Sequence, residues 1–136
     1  MTMTDTPTRP LVLLADDFDD AREMYAEYLR FHGYEVVTAT DGSSAIEVAR
    51  AHKPDIVLLD IRMPGMNGME AMRTIRAEPE IGHIPIVALT ARALAEEREA
   101  VLQAGFDAFI SKPVVPEQLL VHVQRILEAR QARPAS

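Results

Sequence analysis

Residues suited to ionic chemistry stand at the ends of successive apolar runs. Asp16 and Asp17 follow Leu11–Ala15, Asp60 follows Ile56–Leu59, Thr90 follows Ile84–Leu89, and Lys112 comes just after Phe106–Ile110. One charged residue after an apolar run usually marks a solvated loop. Carboxylates, a hydroxyl and an ammonium at four such ends make a coherent set if the fold brings them together. Carboxylates brought together repel: two unit charges ~4 Å apart cost about 4 kcal/mol at an effective dielectric near 20. Such a group takes up a proton or collects a cation. A hard divalent ion suits oxygen ligands, and magnesium typically uses one or two carboxylates plus water and phosphate. Transfer of a phosphoryl group depends mainly on positioning and charge stabilisation. A carboxylate can itself be the nucleophile and form an aspartyl-phosphate. Lys112 and the cation would then neutralise the phosphoryl oxygens, and the Thr90 hydroxyl would donate a hydrogen bond to one of them.

These residues meet only if the elements between them fold as strands and helices in alternation. The pattern predicts strands at Leu11–Ala15, Tyr34–Thr40, Ile56–Leu59, Ile84–Leu89 and Phe106–Ile110. It predicts helices at Asp19–Phe31, Ser43–His52, from an Asn67 cap to Ala77, at Leu94–Ala104 and from Pro116 to Arg130. Acidic residues suit the N-cap and first turn of the first helix, and Gly33 its stop. Lys53-Pro54 breaks the second helix, and Pro116 suits a first-turn position. The first, third and fourth runs are continuously apolar, the mark of strands buried on both faces of a parallel sheet. Alternating strands and helices imply right-handed crossovers and an open α/β sheet. In such sheets ligands bind beyond the carboxyl ends of the strands, where the chemical residues stand.

Composition narrows the function. The chain has 136 residues, 48% hydrophobic and 26% charged, which suits one domain with its own core. Residues 1–10 read as a disordered lead-in, 11–130 as the domain and 131–136 as a tail. There is no cysteine, which excludes disulfides, thiolate metal sites and a thiol nucleophile. No apolar run spans a bilayer and no signal-peptide-like start is present, so the expected location is cytoplasmic, with no membrane partner. A net charge of −7 without a basic stripe argues against nucleic acid as a partner.

The stretches L-V-L-L-A-D-D, D-I-V-L-L-D-I-R-M-P-G-M-N-G, I-P-I-V-A-L-T-A and F-D-A-F-I-S-K-P follow one another from Leu11 toward Leu127. In these the chain resembles the receiver domain of bacterial response regulators. The resemblance implies a (βα)5, doubly wound, flavodoxin-like fold, its five-stranded parallel sheet ordered 2-1-3-4-5. It implies Asp60 as phosphoacceptor, Asp17 as direct metal ligand, Asp16 acting mainly through water, and the Arg62 carbonyl as a main-chain metal contact. Thr90 matches the switch hydroxyl, Phe109 the aromatic switch and Lys112 the family lysine, with a cis bond at Lys112-Pro113. The implied cofactor is Mg2+, with Mn2+ as a substitute. The implied phosphodonor is a sensor histidine kinase or a histidine phosphotransfer protein. The output is a contact with an unidentified protein, made by a monomer or by a phosphorylation-dependent dimer. Ala21, Met24 and Pro113 match positions that meet the phosphodonor. Phosphorylation would draw Thr90 inward, turn Phe109 into the space vacated and reshape the face of the fourth helix, fifth strand and fifth helix.

Arg62 and Arg92 lie two residues after Asp60 and Thr90. They are either solvated or close enough to the phosphoryl group to tune its hydrolysis. Met63, Met66, Met69 and Met72 recur at every third position and read as packing of the third helix and its loop rather than a docking surface. His32, His52, His83 and His122 share no ligand spacing and read as surface or rim residues. Two other functions compete. A magnesium-dependent phosphatase with an aspartate nucleophile commonly places an acid/base Asp where this chain has Arg62, and the chain is short for a substrate-covering cap. A pseudo-receiver, binding a partner without phosphorylation, would not need the full Asp16, Asp17, Asp60, Thr90 and Lys112 set.

Overall fold

The computed structural model describes residues 9–91 and 95–132. In chain order the elements are β1 (Leu11–Ala15), α1 (Asp19–Phe31), β2 (Glu35–Ala39), α2 (Gly42–His52), β3 (Ile56–Asp60), α3 (Gly68–Ala77), β4 (Ile86–Thr90), α4 (Ala95–Ala104), β5 (Ala108–Ser111) and α5 (Pro116–Ala132). The five strands pair in parallel in the order β2-β1-β3-β4-β5. This is the doubly wound, flavodoxin-like sheet that the sequence implies.

The run types explain which strands are central. Every residue of β3 and β4 is buried, and so are Val12–Ala15 of β1. The edge strands β2 and β5 leave most of their positions exposed or half-exposed. Side chains alternate across the sheet. Val12, Leu14, Ile56, Leu58, Val87 and Leu89 face one way and pack with Tyr25, Ala26 and Leu29 of α1 and Leu119, Val123 and Leu127 of α5. Leu13, Ala15, Val57, Leu59, Ile86 and Ala88 face the other way, toward Ala45, Ile46 and Ala49 of α2, Ala71, Met72 and Ile75 of α3, and Val101 of α4. A buried Leu or Ile contributes roughly 1.5–3 kcal/mol, so these two layers hold the strand ends in fixed register.

Several boundaries differ from the pattern, for local reasons. The N-cap of α1 is Phe18, whose side chain makes no cap hydrogen bond, and Asp19 and Asp20 fill the first turn instead. Helix α2 begins at Gly42 because Asp41 caps it in a reciprocal box with Ser44. Asn67 caps α3 as expected, in a box with Glu70. Strand β4 starts at Ile86, after Pro85, which lacks an N–H to donate. Strand β5 starts at Ala108: the Asp107 side chain accepts from the Ile86 N–H and pairs with Arg76. Arg76 also donates to the carbonyls of Gly82, Ile84 and Gly105, tying the approach to β4 to the end of α4. Leu94 lies outside the described residues. Gly33, at φ +99°, terminates α1 in the left-handed conformation that favours glycine.

Candidate functional site

The register brings the chemical residues together. Ala15, the last residue of β1, pairs with Leu59, so Asp16 and Asp60 are neighbouring strand tips. Asp60 pairs with Leu89, next to Thr90, and Thr90 pairs with Ser111, next to Lys112. The Lys112 N–H donates to the Thr90 carbonyl at 2.8 Å, fixing the lysine at the site's edge. The peptide between Lys112 and Pro113 is cis.

Lys112 bridges two buried carboxylates: its Nζ donates to Asp16 Oδ2 at 2.7 Å and to Asp60 Oδ2 at 3.1 Å. The other oxygens accept from the backbone, Asp16 Oδ1 from the Phe18 N–H at 2.9 Å and Asp60 Oδ1 from the Arg62 N–H at 3.0 Å. Asp16 is 0% exposed and Asp60 7% exposed, whereas Asp17 faces solvent. Burial pushes the Asp60 carboxyl above its ordinary value; the Lys112 charge and hydrogen bond and the Arg62 N–H oppose this, and the Asp16 charge adds to it. Burial pulls the Lys112 ammonium down, but hydrogen bonds and charges from Asp16 and Asp60 outweigh it, leaving the group above its ordinary value.

Oxygens from Asp16, Asp17 and Asp60 lie within 4.8 Å of one another, and among the described residues this is the only group of three or more acidic or histidine side chains so placed. At that separation each carboxylate pair repels by about 3.5 kcal/mol at an effective dielectric of 20. Three carboxylates against one ammonium leave the cluster net negative. Converging hard oxygens with uncompensated charge fit a magnesium-type cation, with Asp17 on the solvent side and Asp16 and Asp60 inside. The histidines form no ligand group: His32, His52 and His83 are exposed and His122 is half-buried.

Thr90 is buried at 4% exposure, and Phe109 is half-buried on the next strand. A cavity of about 270 Å³ lies between β4, β5 and α4, lined by Thr90, Phe109, Val101, Ala100, Glu97 and Arg62. The Arg62 side chain is exposed at its rim; Arg92 lies outside the described residues. Ala21 is half-buried, Met24 is 46% exposed and Pro113 is exposed. The Tyr25 hydroxyl donates to the Val114 carbonyl at 2.7 Å, holding α1 against the connection that carries Pro113. Met63 and Met72 are buried and Met66 and Met69 pack against the same cluster, so this row is core.

Three contributors escaped the sequence reading. Arg22 donates to the Asp16 carbonyl at 2.9 Å and to Asp19 Oδ1 at 2.6 Å, clamping the loop that carries Asp16 and Asp17. The i,i+3 spacing of Asp19 and Arg22 was its available signal. Gly68 sits so close to β3 that a Cβ would lie 2.4 Å from the Asp60 carbonyl oxygen. Phe18 stands beside the acids and is 63% exposed, a position no apolar periodicity would predict.

An open parallel sheet carries three carboxylates and a lysine at its carboxyl edge, the arrangement of a receiver domain. The description "Response regulator receiver domain" matches residues 12–124, and the chain belongs to that family, the receivers of bacterial two-component systems. The probable transcriptional regulatory protein TcrX of Mycobacterium tuberculosis is 38% identical over 116 residues, 85% of this chain and 49% of TcrX, so the chain spans about half the length of that relative. The polar-differentiation response regulator DivK of Brucella anthropi is 33% identical over 76% of this chain and 84% of its own. Among solved structures, the chemotaxis response regulator CheY4 of Vibrio cholerae superposes with a TM-score of 0.83 at 34% identity, covering 88% of this chain and 99% of its own. Receiver domains bind magnesium through an aspartate cluster and work with histidine kinases or phosphotransfer proteins and with downstream targets. Asp16, Asp17 and Asp60 form such a cluster. Among the described residues no helix is long and apolar enough to cross a membrane.

Proposed function

We propose that Asp60 accepts a phosphoryl group from a phosphohistidine and that the chain acts as a phosphorylation-dependent switch or relay. The observation that carries this reading is the Lys112 ammonium held between Asp16 and Asp60 at 2.7 and 3.1 Å. The Asp60 oxygen nearest Lys112 forms the new O–P bond. The N–P bond of the donor breaks, its electron pair stays on the imidazole nitrogen, and Lys112 shifts from carboxylate to phosphoryl oxygen. The Arg62 N–H orients the second Asp60 oxygen. Asp16, Asp17, Asp60 and the Arg62 carbonyl would hold Mg2+ or Mn2+, which supplies charge neutralisation at the phosphoryl oxygens.

The Thr90 hydroxyl then donates to a phosphoryl oxygen, and Phe109 follows into the adjoining cavity. The face of α4, β5 and α5 changes, and a protein partner reads it. Ala21, Met24 and Pro113 meet the donor, a sensor histidine kinase or a histidine phosphotransfer protein. Arg62 and Arg92 tune how long the phosphoryl group survives, and their alanine variants should change autodephosphorylation by more than about twofold.

The direct test is incubation with acetyl phosphate or phosphoramidate and Mg2+, read by intact mass. The wild type should gain one phosphoryl group and Asp60→Asn none. An unmodified wild type would leave a binding module that acts without phosphorylation.

A further inference from the structure

The Arg98 guanidinium carbon lies 5.2 Å from the centroid of the Phe109 ring, within cation–π range. Arg98 is exposed on α4, with its guanidinium over the Phe109 ring. Phe109 is half-buried and packs against the inner core cluster. Beside it lies the cavity bounded by Thr90 and Val101, about 270 Å³ in volume. Phe109 itself lines this cavity, whose volume exceeds the roughly 150 Å³ that accommodates benzene, so the ring has space to move into on that side while a cation rests on it in the position seen here.

We propose that Arg98 is a latch on the Phe109 switch, biasing the unphosphorylated protein toward the ring position seen here. The inference rests on the reading of Phe109 as a switch and adds the group that sets its resting balance. Turning the ring inward removes its face from the guanidinium, so the contact exists in one state only. A contact made in one state shifts a two-state equilibrium by its full strength. An exposed cation–π contact corresponds to about a two- to fivefold change in that equilibrium. Arg98 is a positioning residue: it acts through Phe109 and touches no reacting atom.

The test uses the full chain labelled with 4-fluorophenylalanine, the Phe109 resonance being assigned by its loss in Phe109→Leu. Fluorine spectra are recorded without ligand and with Mg2+ and beryllofluoride as phosphoryl mimic. Arg98→Met keeps the aliphatic stem and removes the charge; it should raise the inward population of the resting protein about two- to fivefold. Arg98→Lys should stay nearer the wild type. If Arg98→Met leaves the resting population unchanged while beryllofluoride still moves the resonance, the latch is wrong and the switch stands. If beryllofluoride does not move the Phe109 resonance in the wild type, the switch reading falls and the latch with it.

Discussion

Lys112→Met removes the ammonium and keeps most of the stem. It strips the counter-charge from Asp16, 0% exposed, and Asp60, 7% exposed. At an effective dielectric of 20, the contacts at 2.7 and 3.1 Å carry gross attractions of about 6 and 5 kcal/mol. Much of that is offset in the wild type by the burial of the ammonium. Breaking a buried ion pair from one side typically costs 3–5 kcal/mol, because the remaining charge is left uncompensated. The Lys112 side chain is 19% exposed, so water reaches the vacated position and the low end applies, about 3 kcal/mol. Against a domain stability of roughly 5–15 kcal/mol this is a large loss. Urea denaturation in Mg2+-free buffer should show it as a lower midpoint, and thermal unfolding as a Tm lower by on the order of 10 °C. Two controls separate the electrostatic cause from lost packing. Saturating Mg2+ should stabilise Lys112→Met more than the wild type, since the site without its ammonium is more negative and binds the cation tighter. Adding Asp60→Asn should recover part of the loss, because one carboxylate charge is then gone. A variant within about 1 kcal/mol of the wild type, or one that Mg2+ stabilises no more than the wild type, would refute the claim that Lys112 holds this cluster together.

Other outcomes follow from the same geometry. Asp60 takes its proton at a higher pH in the folded state than in the unfolded state. Folded protein therefore binds more protons between the ordinary and raised values, and Asp60's contribution to stability falls as pH rises through that window. Without Mg2+, Asp60→Asn should gain stability relative to the wild type across that window and hold a constant difference above it, as read by urea midpoints at successive pH values. Lys112 runs in the same direction at higher pH: its stabilising contribution is fully present below the ordinary lysine value and is lost as pH rises through the raised one. Gly68→Ala places a methyl 2.4 Å from the Asp60 carbonyl oxygen. It should cost about 1–3 kcal/mol by overpacking and slow acetyl phosphate labelling, since the strain falls on the backbone of the acceptor. Equal stability and equal labelling would mean that α3 can shift away freely.

What was legible in the sequence follows a physical division. Short continuous apolar runs bounded by polar residues suit central strands of a covered sheet, and β1, β3 and β4 lie at its centre. The acids, Thr90 and Lys112 were legible because strand ends are where a parallel sheet exposes polar groups. Asn67 was readable as a cap because its box with Glu70 is local. Contacts between distant segments were not readable. Nothing in the spelling of Arg76 reveals that it joins carbonyls at Gly82, Ile84 and Gly105 and pairs with Asp107, the residue before the start of β5 at Ala108. Gly68 looks like any residue after a cap until β3 is placed beneath it. The cap of α1 is likewise not local: Phe18 fills it with no side-chain hydrogen bond, while Asp16 turns one oxygen to the Phe18 N–H and gives the other to Lys112.

The cluster is costly to stability in the state described and is tolerated because the sheet leaves it no alternative. Asp16 and Asp60 cannot separate: the residues before them, Ala15 and Leu59, are locked in register by two fully packed layers. Separating the carboxylates would expose Leu13, Leu14, Leu58 and Leu59, at roughly 1.5–3 kcal/mol each. That exceeds the repulsion of about 3.5 kcal/mol for a carboxylate pair at 4.8 Å. The core therefore holds the acids in a position from which a cation, a proton or a rearranged lysine brings relief. Such a site is sensitive to a change in local charge, and under the proposed function the neighbouring cavity beside Thr90 and Phe109 is where that change would be relayed. A looser core would let the acids drift apart, and the same residues would then be ordinary solvated strand ends.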